Sequence, residues 1–348
     1  MNEKRRIGYT CAYTPLALIH AAGFSPYRIL PDVDCADRAG QVLHDNLCPH
    51  VKRVLDRAMA GSVPELAGAV FMNSCDAMRR LADAWAAVRR DVPAALVDLP
   101  VVVNDRTVSF FRDELERCAG ILQSWGGVIM SDASIAEGVG THNRIAERLE
   151  RLRALAREGR LPGGFPALQE AYNLASTAPP EEAIARLDHI ESGALAAPSG
   201  DGVPVFVFGN VLPEPEAFTL FEDAGARVVG EDLCTGSRLF ARIDAAGPDP
   251  LRAIASSLLG RTACARTFDA EHPGGLAETV VTRAREFGAR AVIAYTAKFC
   301  DPYIARMPAV RDALRTEGIP FLALEGDCTL RSIGQHRTRL EAFIEMMR

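Results

Sequence analysis

Five of the nine cysteines in this 348-residue chain stand directly behind short apolar runs. Cys11 follows Ile7-Gly8-Tyr9-Thr10, and Cys75 follows Val70-Phe71-Met72-Asn73-Ser74. Cys234, Cys300 and Cys328 close comparable runs that begin at Val228, Val292 and Leu322. Such runs read as β-strands, and the carboxyl ends of strands in open α/β sheets are where ligands bind. Thiolates gathered on such a crest point to a metal cluster. The other uses of a cysteine there are as a small core hydrophobe or a catalytic thiol.

Local context sorts the nine. Cys48-Pro49 places proline where a first helical turn begins, with Cys48 at the cap. In Cys300-Asp301-Pro302 the expected cap is Asp301, and Cys75-Asp76 opens a helix that carries Arg79 and Arg80. A cysteine at a helix N-terminus feels the positive end of the dipole, which favours thiolate, the form that binds iron or zinc. Cys234-Thr235-Gly236-Ser237-Arg238 reads as a glycine turn whose N–H groups face cluster sulfur or an anion. Cys118 lies in a helical run and reads as structural, and Cys35 lies in a polar loop. Cys328 remains open between the two uses. There is no Cys-x-x-Cys, no His-x-x-x-His and no His-Glu-x-x-His, which removes zinc ribbons, thioredoxin-like centres and ferredoxin runs. A site would therefore take one thiolate per loop, with Cys11, Cys48 and Cys75 from one half meeting Cys234, Cys264 and Cys300 from the other.

The elements that must position these thiols alternate. Strands are expected at 6–10, 28–30, 69–73 and 94–97, and helices at 44–60, 77–90, 107–122 and 134–158, with another after Pro179. Ser131, Asp132 or Ser134 is the expected cap of the long helix. Residues 193–202 are small and flexible in composition, which predicts a linker between an N-terminal domain, 1–192, and a C-terminal domain, 203–348. The second series has strands at 203–208, 227–229, 291–295 and 320–324, and helices at 215–224 and 337–347. Strands separated by helices imply an α/β protein with parallel sheets in both halves.

Composition narrows the class. At 48% hydrophobic and 24% charged, the chain has the makeup of a globular protein. A net charge of −6 gives no reason to expect nucleic acid or an anionic membrane as partner. No apolar run is long enough to span a bilayer and the N-terminus lacks a signal-like stretch. A cytoplasmic location is expected, where stable disulfides are rare.

In order along the chain, several motifs carry a family resemblance. They are Gly8-Tyr9-Thr10-Cys11-Ala12-Tyr13-Thr14-Pro15 with Ala21-Ala22-Gly23-Phe24, then Asn46-Leu47-Cys48-Pro49-His50-Val51-Lys52-Arg53, then Asn73-Ser74-Cys75-Asp76. Glu231-Asp232-Leu233-Cys234-Thr235-Gly236-Ser237-Arg238, Lys298-Phe299-Cys300-Asp301-Pro302, Leu324-Glu325-Gly326-Asp327 and the stretch from Gly334 to Phe343 follow. Through them the chain resembles the 2-hydroxyacyl-CoA dehydratase and benzoyl-CoA reductase superfamily of iron–sulfur proteins. The resemblance implies two flavodoxin-like lobes facing each other across a cluster-binding cleft, with Cys75, Cys234 and Cys300 as ligands of a [4Fe-4S] cluster. It also implies electrons from a separate ATP-hydrolysing activator, and this chain has no Gly-x-x-x-x-Gly-Lys-Ser/Thr loop of its own.

Two branches compete. Dehydratase components are pairs of unlike subunits that take acyl-CoA, whereas the double-cubane branch is similar to a homodimer in which each chain holds an [8Fe-9S] cluster on six thiolates. Cys11, Cys48 and Cys264 would be the extra three, which favours the second branch, although Ala265 stands where relatives often have proline. The expectation is an iron–sulfur oxidoreductase that reduces a small molecule. A metal-free two-lobed binding protein is the rival of another class. Lys298 and Arg238 are expected to offset cluster charge, Ser74 and Asn73 to donate to cluster sulfur, and His50 to donate a proton to substrate or else lie on the surface.

Overall fold

The computed structural model describes residues 4–31, 37–197, 201–245, 247–261, 264–269, 271–328 and 334–348. Two parallel sheets organise the chain. The first contains β1 (Arg6–Tyr9), β2 (Ser25–Arg28), β3 (Gly68–Asn73) and β4 (Ala94–Asp98) in the order β2-β1-β3-β4. The second contains β5 (Val203–Gly209), β6 (Ala226–Asp232), β7 (Ala291–Ala297) and β8 (Phe321–Gly326) in the order β6-β5-β7-β8. Both are the flavodoxin-like order, which reverses between the first and third strands and opens a crevice there. The inner strands β3 and β7 read as continuous apolar runs because helices cover both faces.

The helices are α1 (Leu16–Ala21), α2 (Pro49–Ala60), α3 (Asp76–Val88), α4 (Asp105–Ser124), α5 (Asp132–Arg157) and α6 (Gly164–Thr177). They continue with α7 (Pro180–Ser192), α8 (Pro215–Asp223), α9 (Pro250–Gly260), α10 (Gly275–Glu286), α11 (Asp301–Thr316) and α12 (Arg337–Glu345). Each sheet takes its strands from one side of residues 193–202. The core nonetheless runs through both lobes. Tyr9, Leu149 and Tyr172 belong to the same buried group as Phe218, Phe240 and Ile344. Helix α5 packs on α1, α7, α9 and β6, while α6 packs on β2 and α8. Asn143 of α5 exchanges two hydrogen bonds with the backbone of Ile243, at 2.9 and 2.8 Å, as a strand residue would.

The boundaries that differ from the sequence reading have local causes. Helix α2 begins at Pro49 rather than residue 44, since the residue before a proline is driven from helical geometry and Cys48 is extended at ψ 126°. Strand β2 begins three residues earlier than expected and ends at Arg28. It carries Pro26, which an edge strand accepts on its unpaired side, and Arg6 to Tyr9 of β1 fix its register. The cap of α11 is Cys300, with Asp301 as its first residue and Pro302 behind it. Ser131 caps α5 in a reciprocal pair with Ser134. Among the described residues no helix is long and apolar enough to cross a membrane.

Gly209 closes β5 beside the cavity described below. A Cβ there would fall on the carbonyl oxygen of Tyr295 on β7, so only glycine permits this strand pairing. Gly209→Ala is expected to destabilise the protein by about 1–3 kcal/mol, measured as a lowered urea midpoint with unchanged m-value.

A candidate metal centre between two sheet crests

Both crests open onto one cavity of about 490 Å³, and Cys11, Cys48, Cys75, Cys234, Cys264 and Cys300 all line it. Cys11 and Cys75 stand at the ends of β1 and β3, and Cys48 caps α2. From the other lobe, Cys234 follows β6, Cys264 sits in the loop after α9 and Cys300 caps α11. All six are free thiols. The sequence-expected set of three against three is therefore brought to a single space. Phe299, immediately before Cys300, is held at φ +56°, a left-handed conformation unusual for a bulky side chain.

The remaining cysteines separate cleanly. Cys118 is fully buried in α4, as expected of a structural residue. Cys328 is buried among Ala297 and the residues that cover α2, and does not line the cavity. Cys35 lies outside the described residues.

Burial, not the helix dipole, dominates the thiols of the N-terminal lobe. It pushes Cys75 up to about 11 and Cys48 higher, despite backbone N–H groups of Ala77, Met78, His50 and Val51 that oppose the rise. Burial likewise raises Cys300. Cys234 and Cys264 form a pair: the hydrogen bond between them raises Cys234 and lowers Cys264, with Arg238 assisting. The expected helix-start thiolates are therefore thiols in the metal-free chain, and it is a bound metal that would deprotonate them.

Buried guanidinium groups surround the cavity. Arg28 is 1% exposed, and its Nη1 donates to the Cys234 carbonyl at 2.6 Å across the lobe boundary. Arg238 pairs with Asp232 at 2.6 Å and approaches Cys234 Sγ at 3.5 Å. Arg261 donates to the carbonyls of Ala12 and Arg238 and lies 4.1 Å from the centre of the Tyr13 ring. Arg266 donates to the carbonyls of Leu99 and Pro100. Arg28 Nε, Arg238 Nη2 and two nitrogens of Arg261 are buried without a hydrogen-bond partner.

The supporting residues divide. Ser74 lines the cavity with Oγ 3.5 Å from Cys11 Sγ. His50 is not on the surface: it is 2% exposed on the cavity wall beside the Thr10 backbone, and burial next to Arg28 holds it down at about 3. It is thus a neutral imidazole. Arg238 is paired and buried rather than solvated. Lys298 is exposed and off the cavity wall. Asn73 donates instead to Asp98 at 2.7 Å. Arg79 and Arg80 lie on an exposed face, within 3.6 and 3.7 Å of Asp76.

The turn after Cys234 also serves another purpose than expected. The N–H groups of Leu233 and Ser237 bind the buried Glu231 carboxylate at 2.9 and 2.8 Å, and Tyr172 Oη donates to it at 3.0 Å. Gly236 is required because a Cβ there would collide with that carboxylate.

Asn210, Arg28, Arg261 and Arg266 escaped the sequence reading. Asn210 Oδ1 accepts from the Val211 and Ala297 N–H groups at 2.7 and 3.0 Å, and its carbonyl accepts from Cys234 N at 2.6 Å. With Oδ1 so committed, its amide nitrogen is the group that reaches Cys300. Its position just past β5 matches that of Cys11 just past β1, the one signal that marks it.

This pseudo-symmetric crest is the setting for the comparisons with known proteins. The model of the family described as 2-hydroxyglutaryl-CoA dehydratase, D-component, matches residues 11–347. The chain belongs to that family. It is 25% identical to the beta subunit of (R)-2-hydroxyglutaryl-CoA dehydratase from Acidaminococcus fermentans, over 99% of this chain and 93% of the relative. It is 22% identical to the (R)-phenyllactyl-CoA dehydratase beta subunit from Clostridium sporogenes, over 99% and 92%. A benzoyl-CoA reductase subunit from Thauera aromatica is 22% identical over 93% and 86%. The expected superfamily, the two flavodoxin-like sheets and the assignment as an enzyme of the 2-hydroxyacyl-CoA dehydratase type all stand.

Among the described residues no group of three or more His, Cys, Asp or Glu side chains is placed to hold a single metal ion. Thiols on one tetrahedral ion sit about 4 Å apart. The donor set here spans a whole cavity instead. Soft thiol sulfur is the ligand that iron–sulfur clusters require, and buried guanidinium groups with free N–H donors suit an anionic group. The residues fit a polynuclear iron–sulfur cluster.

Proposed function

We propose that this chain is an iron–sulfur reductase that reduces a small molecule with low-potential electrons supplied by an ATP-hydrolysing activator. Cys11, Cys48, Cys75, Cys234, Cys264 and Cys300 would hold a double-cubane [8Fe-9S] cluster, three thiolates from each lobe. The single observation that carries this reading is that all six thiols line one cavity while the other described cysteines, Cys118 and Cys328, do not. When bound, the cluster supplies one-electron reducing power. Arg28 and Arg238 balance its negative charge from both sides of the lobe boundary. Ser74 and Asn210 donate towards thiolate sulfur. His50, a neutral imidazole, holds a hydrogen-bonding nitrogen towards the bound small molecule. In this reading the chain acts as a homodimer.

A second reading is favoured by the relatives, which are named as beta subunits of dehydratases that act on 2-hydroxyacyl-CoA thioesters. The chain would then hold a [4Fe-4S] cluster on Cys75, Cys234 and Cys300, take an acyl-CoA and pair with an unlike subunit. Anaerobic purification followed by iron and acid-labile sulfide analysis separates the two. About eight irons per chain and a homodimer support the first reading, and about four irons with acyl-CoA binding support the second. A colourless protein that takes up no iron under reconstitution would overturn both and leave a two-lobed binding protein.

A further inference from the structure

Cys264 belongs to the C-terminal lobe in sequence, yet the stretch that carries it is fastened to the N-terminal lobe. Two residues on, both Nη atoms of Arg266 donate to that lobe's backbone, to the Pro100 carbonyl at 2.7 Å and the Leu99 carbonyl at 2.9 Å. The Phe268 N–H donates to the Val101 carbonyl at 2.9 Å, and Val102 pairs with Phe268 as a single parallel bridge. Tyr13 of the N-terminal lobe places its hydroxyl 3.0 Å from that of Thr267. Its ring lies under the guanidinium groups of Arg261 and Arg266, which are 4.1 and 5.9 Å from its centre. Tyr13 is itself 3% exposed, and a cation over a buried aromatic face is attracted to it.

Its own lobe holds the same stretch more sparingly. Ala265 is buried with Phe208 and Tyr303, and Arg306 reaches its carbonyl at 3.4 Å. Cys264 hydrogen-bonds Cys234. Residues 264–268 lie between α9 and α10, outside any helix or sheet. With no ladder of backbone bonds to fix them, these few contacts decide where the thiol stands. Cys300 is placed differently, since it caps α11 and faces the Asn210 amide of its own lobe. Cys75 likewise caps α3 within the N-terminal lobe.

We propose that Arg266 is a positioning residue for Cys264, holding that thiol in the cavity through its fork on the Leu99 and Pro100 carbonyls, with the Tyr13 ring in support. The guanidinium acts by geometry. Two donors on two successive carbonyls fix its plane as a single ammonium could not. The sixth thiol then enters the site only while the lobes are in contact, so lobe contact and a complete ligand set are one event. The role of Cys264 as a ligand rests on the two-cubane reading, whereas the test reads the iron-free chain.

The full chain, free of iron and fully reduced, is treated with iodoacetamide, and the alkylation rate of each cysteine is followed by mass spectrometry of its peptides. Freeing the stretch raises the population in which Cys264 is open to the reagent, while Cys75 and Cys300 keep their helix caps. In Arg266→Ala, Cys264 should react at least about tenfold faster than in wild type, and Cys75 and Cys300 less than about threefold faster. Arg266→Lys keeps the charge but not the fork, and Cys264 should still react at least about threefold faster than in wild type. Tyr13→Leu should move Cys264 selectively in the same direction, and carries the test if Arg266→Ala does not fold. Equal acceleration of the three thiols, no rise at Cys264, or an Arg266→Lys variant indistinguishable from wild type would overturn the inference. A selective rise at Cys264, in a protein whose loaded wild type holds about four irons, would overturn the two-cubane reading alone and leave Arg266 as the residue that places the thiol.

Discussion

Cys234→Ser is expected to cost the chain at least half of its bound iron, whereas Cys118→Ser and Cys328→Ser should leave the iron content within error of wild type. Cys234 sits where the lobes meet. Its carbonyl receives Arg28, its N–H goes to the Asn210 carbonyl and its sulfur lies beside Arg238 and Cys264. A serine there keeps the backbone contacts and loses only the soft ligand, since an alcohol does not ionise readily enough to replace a thiolate on iron. The two control cysteines are buried, at 0% and 2% exposure, so their serine variants lose stability by about 1–3 kcal/mol for an ill-matched hydroxyl. Iron analysis and a denaturant titration thus move in opposite ways for the two classes. Cys264→Ser extends the series to the ligand that the sequence supports least. If Cys118→Ser or Cys328→Ser lost as much iron as Cys234→Ser, the cavity thiols would have no special claim to the metal.

Much of this site was legible because its ligands are cysteines behind strands. A parallel strand covered on both faces is an unbroken apolar run, and the turn that ends it must expose polar or small residues. Cys11, Cys75 and Cys300 could be placed on a crest by that reasoning alone. The two sheets were legible for the same reason, as was α5, with its long periodic stretch between Ser131 and Gly159. What the sequence conceals is burial imposed from a distance. Arginine is ordinarily a surface residue, and nothing near Arg28 or Arg261 in sequence announces that the other lobe will close over it. His50 was hidden similarly, since it stands just before the half-buried Lys52 and Arg53 in the first turns of α2 and its sequence neighbours do not announce the cavity. The turn at Gly236 misled for a different reason. Its N–H groups do bind an anion, but that anion is Glu231 of the same chain rather than a ligand. Short edge strands were the least legible elements, since Ser25-Pro26-Tyr27-Arg28 becomes a strand only by pairing with β1.

The buried pair behind Cys234 gives the largest expected effect on stability. Arg238 and Asp232 are 1% and 0% exposed in their side chains and meet at 2.6 Å. Arg238 also donates to the Gly209 carbonyl at 3.0 Å and to Tyr303, whose hydroxyl donates to the same carbonyl at 2.5 Å. Asp232→Ala strands a guanidinium that cannot shed its proton, and is expected to lower stability by about 3–5 kcal/mol. Replacing both partners with apolar residues of similar volume, Asp232→Leu with Arg238→Met, removes the charge and the need for a counter-charge together. Such replacements are often neutral or stabilising by about 1–4 kcal/mol, so the double variant should regain most of what Asp232→Ala loses. Stability is therefore a poor reason for a chain to keep an ion pair at this depth. Charge beside the thiols is a better one. The double variant should fold and yet hold less iron, or hold it at a lower potential, than the native chain. Denaturant titration alongside iron analysis checks both halves of the expectation. A double variant with native stability, native iron content and an unchanged potential would show that Arg238 serves packing alone.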